Sequence, residues 1–204
     1  MCHSRRVCSV LLERKQYFIS CGEGAATVTN QQETYVIRKA IQLIDLAQIA
    51  QINKDVFAGS VHVHSAFEWI HTLCKARPIY QYYVITNTTD KQAVLGYAGW
   101  QVHGGWDRIE PVIELDQIGI AKSAQGKGLG EELIRSSLAE LALWLAHRSA
   151  GCKGIITAIV WGYTDNAPAM HLYGKIFTEG VCGKRIQFDN REENMYRLRI
   201  TLKT

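Results

Sequence analysis

The sequence predicts an α/β (α+β) fold, with elements in the order β-α-α-β-β-β-α-β-α-β-β over residues 34–204. Three observations carry that reading. Apolar residues alternate in some runs, as from Val112 to Ala121, which suits a half-buried strand. They recur at helical spacing in others, as at Phe67, Ile70, Leu73 and Cys74. Between a strand run and the longest helical pattern stands the glycine turn Gln125-Gly126-Lys127-Gly128-Leu129-Gly130.

Taken in order, Tyr35 to Lys39 reads as a strand. Ile41 to Phe57 is helical in period through Ile44, Ala47, Ile52 and Val56. A second helix over Ser65 to Ala76 ends before Pro78, which cannot continue it. Ile79 to Asn87 and Ala93 to Val102 pair as strands around Thr88, Thr89, Asp90 and Lys91. His103 to Pro111 turns into the strand from Val112 to Ala121. The long helix runs from Glu131 to about His147 and stops at Ser149, Ala150 and Gly151. A strand at Ile155 to Trp161, a helix at Asn166 to Lys175 and strands at Val181 to Phe188 and Asn194 to Leu202 complete the chain.

Residues 1–33 stand apart as an N-terminal extension, read as partly disordered or as one added strand over Val7 to Ile19. Gly22 to Gln32 is small and polar, like a linker. Cys2, His3, Cys8 and Cys21 have no familiar paired-ligand spacing, so no metal site is read there. Six cysteines in 204 residues do not form a disulfide framework. No apolar stretch approaches the ~20 residues of a membrane span. Glu13, Arg14 and Lys15 cut short the apolar run after Arg5 and Arg6, which argues against a signal peptide. The expectation is a cytoplasmic protein. Net charge of +4 is mild and the cations are scattered, so neither nucleic acid nor membrane is an expected partner.

A glycine turn at a helix start binds phosphate: the backbone can approach an anion, and the first N–H groups lie unpaired at the positive end of the helix dipole. Lys127 adds a charge. A nucleotide P-loop would need Ser or Thr after Lys127, where Gly128 stands. A dinucleotide fingerprint counted from Gly126 would need glycine where Glu131 stands. Gln-x-x-Gly-x-Gly does fit, through Gln125, Gly128 and Gly130. Asn166-x-x-Ala169-x-x-Leu172-Tyr173-x-Lys175 follows, beginning 41 residues after Gln125.

Together these two patterns resemble the acetyl-CoA loop and the following helix of the GNAT superfamily of acyl-CoA N-acyltransferases. The resemblance covers residues 34–204 and implies a mixed, mostly antiparallel sheet flanked by helices, splayed between its fourth and fifth strands to admit the pantetheine arm. It implies acetyl-CoA as cosubstrate, held by the backbone of Gln125, Gly126, Lys127, Gly128, Leu129 and Gly130. Main-chain groups of Ile118 and Ile120 would pair with pantetheine as a false strand does. Asn166 reads both as a helix N-cap and as a CoA contact. The family departs here in one respect: Lys175-Ile176-Phe177-Thr178 lacks the usual glycine after the helix, so the C-cap must differ.

Amide formation from a thioester needs a neutral amine and a protonated leaving thiolate. The resemblance points to Glu114 as base, acting through water, and to Tyr173 as acid. A solvated strand glutamate and a core tyrosine are the alternatives. Asp116 would share a face with Glu114 on a regular strand, and which of the two serves as base is open. Trp100, Trp106 and Asp107 surround a turn that borders the acceptor site in this family, or pack as core. His62 and His64 alternate with no third ligand in view. The implied activity is N-acetyl transfer to a primary amine, a peptide or protein amine slightly before a small one. The alternative is a non-catalytic acyl-CoA sensor or partner-binding module. Homodimerisation and a longer acyl group stay open.

Overall fold

The computed structural model describes residues 7–12, 15–20, 25–30, 33–40, 43–57, 63–104, 108–148, 154–187 and 189–202, with side chains described from Thr34 onward except at Val63 and His64. The metal-ligand candidates Cys2, His3 and Cys21, together with His62, Trp106 and Asp107, lie outside the described residues, as do the side chains of Cys8 and His64.

The described elements are β1 (Val7–Leu12), β2 (Lys15–Ser20), β3 (Ala25–Asn30), β4 (Glu33–Lys39), α1 (Leu43–Val56), α2 (Val63–Lys75), β5 (Tyr80–Asn87), β6 (Val94–His103), β7 (Val112–Ile120), α3 (Leu129–Arg148), β8 (Ile155–Tyr163), α4 (Ala167–Ile176), β9 (Val181–Ile186) and β10 (Glu192–Thr201). From β4 onward this is the order expected from the sequence. The main sheet runs β3-β4-β5-β6-β7-β8-β10-β9. Every neighbouring pair in it is antiparallel except β7 and β8.

The extension differs from its sequence reading. Residues 7–12 and 15–20 are two antiparallel strands rather than one, with Val7 opposite Ser20. Ala25–Asn30, inside the linker-like stretch, is a strand whose Val28 stands opposite Tyr35 of β4. Thr27, Val28 and Thr29 are β-branched, and an edge strand accepts small polar neighbours as well. Composition alone missed that pairing.

The sheet buries both faces. On one, Tyr35, Tyr83, Trp100, Ile113 and Leu115 pack under Leu133, Leu138 and Leu145 of α3 and Tyr173 of α4. On the other, Tyr82, Val84 and Tyr97 pack under Leu46, Ile49 and Ile52 of α1 and Ile70 of α2. Trp100 is therefore core: it is fully buried and its indole N–H donates to Ser137 Oγ at 2.9 Å. The Arg38 guanidinium bonds both oxygens of the fully buried Asp45, at 2.7 and 2.8 Å, tying β4 to α1. Such a fork satisfies both charges where a single contact would leave one bare.

Candidate active site

β7 and β8 pair in parallel only from Val112 opposite Thr157 to Leu115 opposite Val160. Both strands run on, β7 to Ile120 and β8 to Tyr163, without pairing further with each other. A gap thus opens inside the sheet. Against β6 the register of β7 slips, with Trp100 opposite Leu115 but Gly99 opposite Gln117, so Asp116 is the extra residue of a bulge. The slip changes the parity of the strand. Ile113 and Leu115 face α3, and beyond the bulge Ile118 and Ile120 pack on that same cluster.

Strand alternation also sets which main-chain groups face the gap. The Ala121 N–H donates to Leu95 of β6, so residue 121 points toward β6 and residues 120 and 118 point the other way. The Ile120 carbonyl is met by the Gln125 amide at 3.0 Å. Gln125 braces the turn to the strand end.

That turn, residues 125–128, leads into α3. Gly126 and Gly128 have φ of +77° and +76°, a region where any side chain is strained. A Cβ at either would meet nothing within 4 Å, so the outer side of the turn is open. The Gly128 carbonyl accepts from Glu132 N–H at 3.3 Å, which makes Gly128 the last residue before the helix. The first α3 N–H groups point out of the helix there. Leu129 is buried and anchors the start, while Lys127 is exposed.

α4 closes the other side. Asn166 is its N-cap, accepting from Ala169 N–H at 3.3 Å, with Pro168 in the first turn. Burial would raise the Glu131 carboxyl, but hydrogen bonds from Lys175 and Arg135 outweigh it and hold it below the ordinary carboxylate range. Those contacts, 2.5 Å to Lys175 Nζ and 3.0 Å to Arg135 Nε, pair the Glu131 charge, and the first clamps α4 to α3. Tyr173 is 7% exposed and lies edge-on to Phe177 and Tyr196. Burial pushes its phenol up to about 12. No hydrogen bond ties its hydroxyl among the described residues. Gly162 of β8 makes room for it: a Cβ there would come within 2.8 Å of Tyr173 Cε2 and closer still to Met170 Cε. The helix ends at Phe177, whose N–H bonds Tyr173 O, and the left-handed glycine comes later, at Gly180 with φ +72°.

On the α1/α2 face, Glu114 Oε2 lies 2.6 Å from His103 Nε2, with side-chain exposures of 15% and 38%. Asp116 is exposed, and one of its oxygens accepts from the Tyr80 hydroxyl and from the Gln117 amide. Asn53 of α1 donates to Tyr97 Oη at 2.7 Å. Desolvation first raises the Tyr80, Tyr82 and Tyr97 phenols well above 10, so all three stay protonated as donors. Glu114 stands opposite Ile159, one pair before the ladder ends, while Tyr173 packs over Gly162 beyond it on the other face of the sheet. Sequence reasoning missed His103, Tyr80, Gln117 and Asn53. Only for His103 was there a signal: in a hairpin it shares the parity of Gln101, the residue opposite Glu114.

The model of the acetyltransferase (GNAT) family matches residues 46–177, more than half of the chain. The chain belongs to the GNAT family. This GNAT chain is similar in structure to Arabidopsis thaliana NAA60 in complex with acetyl-CoA, at a TM-score of 0.61 and 12% identity, over 81% of this chain and 98% of that one. It is similar also to the ribosomal-protein-S18-alanine N-acetyltransferase of Escherichia coli (TM-score 0.57, 20% identity, 83% and 96% covered). A spermidine N-acetyltransferase SpeG chimera from Vibrio cholerae gives 0.57 at 17% identity, covering 80% and 94%. At these identities the likeness is one of fold. No curated protein matches the sequence. No helix among the described residues is long and apolar enough to cross a membrane.

The close approach of Tyr173 to β8 is testable in this GNAT chain. Gly162→Ala should lower stability by about 1–3 kcal/mol through overpacking, a fall of several degrees in Tm for a chain of this size. An unchanged thermal midpoint would mean that Tyr173 does not rest on Gly162.

Proposed function

We propose that the chain is an N-acetyltransferase that moves an acetyl group from acetyl-CoA to a primary amine by direct attack. The single observation that carries this reading is the gap between β7 and β8, with an open glycine turn at its mouth. The turn suits a pyrophosphate: two glycines in left-handed conformation, open space outside them and helix N–H groups behind. Residues 125–130 would hold it, and Asn166 would add a contact from the α4 start. The exposed edge at Ile118 and Ile120 suits the amide groups of a pantetheine arm. Acetyl-CoA supplies an acyl group already activated as a thioester.

Glu114 is the base in this reading. It takes a proton from the acceptor ammonium through water, because an alkyl amine with a pKa near 10 is almost wholly charged at neutral pH. Each of the two carboxylates has one oxygen engaged, Glu114 by His103 and Asp116 by Tyr80 and Gln117, and Glu114 is preferred on its place eleven residues before Gln125. The amine nitrogen then bonds to the thioester carbonyl carbon, the carbon–sulfur bond breaks, and Tyr173 gives its proton to the departing sulfur. With its phenol at about 12, Tyr173 keeps that proton throughout the neutral range. The proton on Glu114 passes to bulk water, and the second proton, shed by the acylated nitrogen, restores the Tyr173 phenol before the next turnover.

The acceptor is proposed as a peptide or protein amine ahead of a small one, on the placement of Glu114. The similar structures include enzymes named for both kinds, NAA60 and the ribosomal-protein alanine acetyltransferase beside the spermidine one.

Assays on a panel of peptide and polyamine acceptors separate the two roles. Glu114→Gln should slow transfer by ~10²-fold near neutral pH and recover part of the rate as pH approaches the amine pKa. Tyr173→Phe should lower kcat by a similar factor, with acetyl-CoA affinity nearly unchanged and no recovery at high pH. The wild-type rate should show no loss from phenol ionisation up to about pH 11, because the Tyr173 pKa is raised, not lowered. If both variants turn over as wild type does, alignment of amine and thioester is the mechanism and neither residue is catalytic.

We propose also that residues 34–204 form the catalytic unit. Of the extension's three described strands, β3 joins the main sheet beside β4, four strands from β7. A chain starting near Gln32 should retain acetyl transfer. Loss of transfer in a truncated chain that stays folded would place the extension in the site.

A further inference from the structure

At the far end of α3 a cavity of about 170 Å³ opens between the end of β4, the turn before β5 and the last turns of the helix. Lys39, Arg77, Gln81, Trp144 and Arg148 line it. α3 has 20 residues, so this cavity lies roughly 30 Å from the glycine turn along the helix. It is smaller than the ~300 Å³ at which sites for drug-sized ligands begin.

The charge balance of the cavity is uneven. Three cations face it, and the neighbouring carboxylate is Glu140, 3.4 Å from Lys39. Neither Arg77 nor Arg148 has a carboxylate partner among the described residues. Arg77 and Arg148 are held in place by something other than a counter-charge, and Lys39 rests on the Trp144 ring besides its pairing with Glu140. Arg77 donates to the Ala40 carbonyl. The Arg148 guanidinium lies 5.3 Å from the Trp144 ring centroid, and Lys39 Nζ lies 5.9 Å from it. Gln81, 6% exposed, contributes a buried amide whose donation to Pro78 O is long at 3.3 Å.

Structural roles explain these residues singly. The negative end of the α3 dipole draws Arg148, and Glu140 draws Lys39. The Ala40 carbonyl holds Arg77, yet no carboxylate among the described residues offsets the charge that it brings to the same hollow, where like charges repel. A bound oxyanion would resolve the repulsion with charge-assisted hydrogen bonds.

We propose that this cavity binds the phosphate group of a small molecule, free or as a monoester, between Lys39, Arg77 and Arg148. The site is independent of the transfer reaction and of the glycine turn. Calorimetry at low ionic strength with inorganic phosphate and with glycerol phosphate tests it. Gly128→Asp, which strains the turn and puts a negative charge in it, removes any competing phosphate site there.

In that variant one saturable site should remain for at least one of the two probes. Adding Arg148→Glu, at the exposed end of the helix, should weaken it by at least about tenfold. Adding Arg77→Gln should do the same. Tighter binding of the ester would make a monoester the occupant; tighter or equal binding of inorganic phosphate would make it the free ion. No saturable binding by either probe in Gly128→Asp, or binding undiminished by Arg148→Glu, would overturn the proposal, and the Arg148 result decides the matter if Arg77→Gln does not fold.

Discussion

Everything at the candidate site depends on a parallel ladder that stops after four residue pairs. β6 holds β7 along its length, from His103 opposite Val112 to Gly96 opposite Ile120. β10 holds β8 from Thr201 opposite Ile155 to Glu193 opposite Tyr163. Each wall of the gap therefore has its own bracing, and the two half-sheets can part without either losing its ladder. The cost falls on the inner edges. Unpaired main-chain groups cost ~1–3 kcal/mol each if left dry, so such an edge is either wet or filled by something that hydrogen-bonds like a strand.

The helices on either side of the gap sit where they do for related reasons. α3 starts at the open end of β7 because two left-handed glycines bend the chain sharply there. α4 is drawn to that start by the Glu131–Lys175 pair and seated on β8 by Gly162. Leu172 completes the contact, 3.4 Å from where a Gly130 side chain would begin. The buried phenol at the gap thus follows from a glycine in a strand and an ion pair between helices, not from its own hydrogen bonds.

How much of this was legible in the sequence follows the range of each interaction. The element order from residue 34, the glycine turn and the Asn166 cap are local, set by period and by short-range chemistry, and sequence reasoning recovered them. The bulge is not local. Alternation placed Glu114 and Asp116 on one face of a regular strand, and nothing in Leu115-Asp116-Gln117 announces that Gly99 and Trp100 oppose Gln117 and Leu115. The His103–Glu114 contact and the cavity at Lys39, Arg77 and Arg148 join elements far apart in the chain, and no single-sequence pattern encodes such a meeting. At residues 25–30 composition misled outright, because a threonine-rich edge strand and a polar linker use the same residues.

The site works as proposed only if the gap takes up a ligand as a strand. Amide hydrogen exchange at Ile118 and Ile120, with and without acetyl-CoA, reads that edge directly. On that reading these two amides exchange fast in the free protein and slow clearly when acetyl-CoA is bound, while β7 amides that already pair with β6 change little. Binding of acetyl-CoA that leaves the Ile118 and Ile120 amides as fast as before, or slows only amides elsewhere, would contradict it.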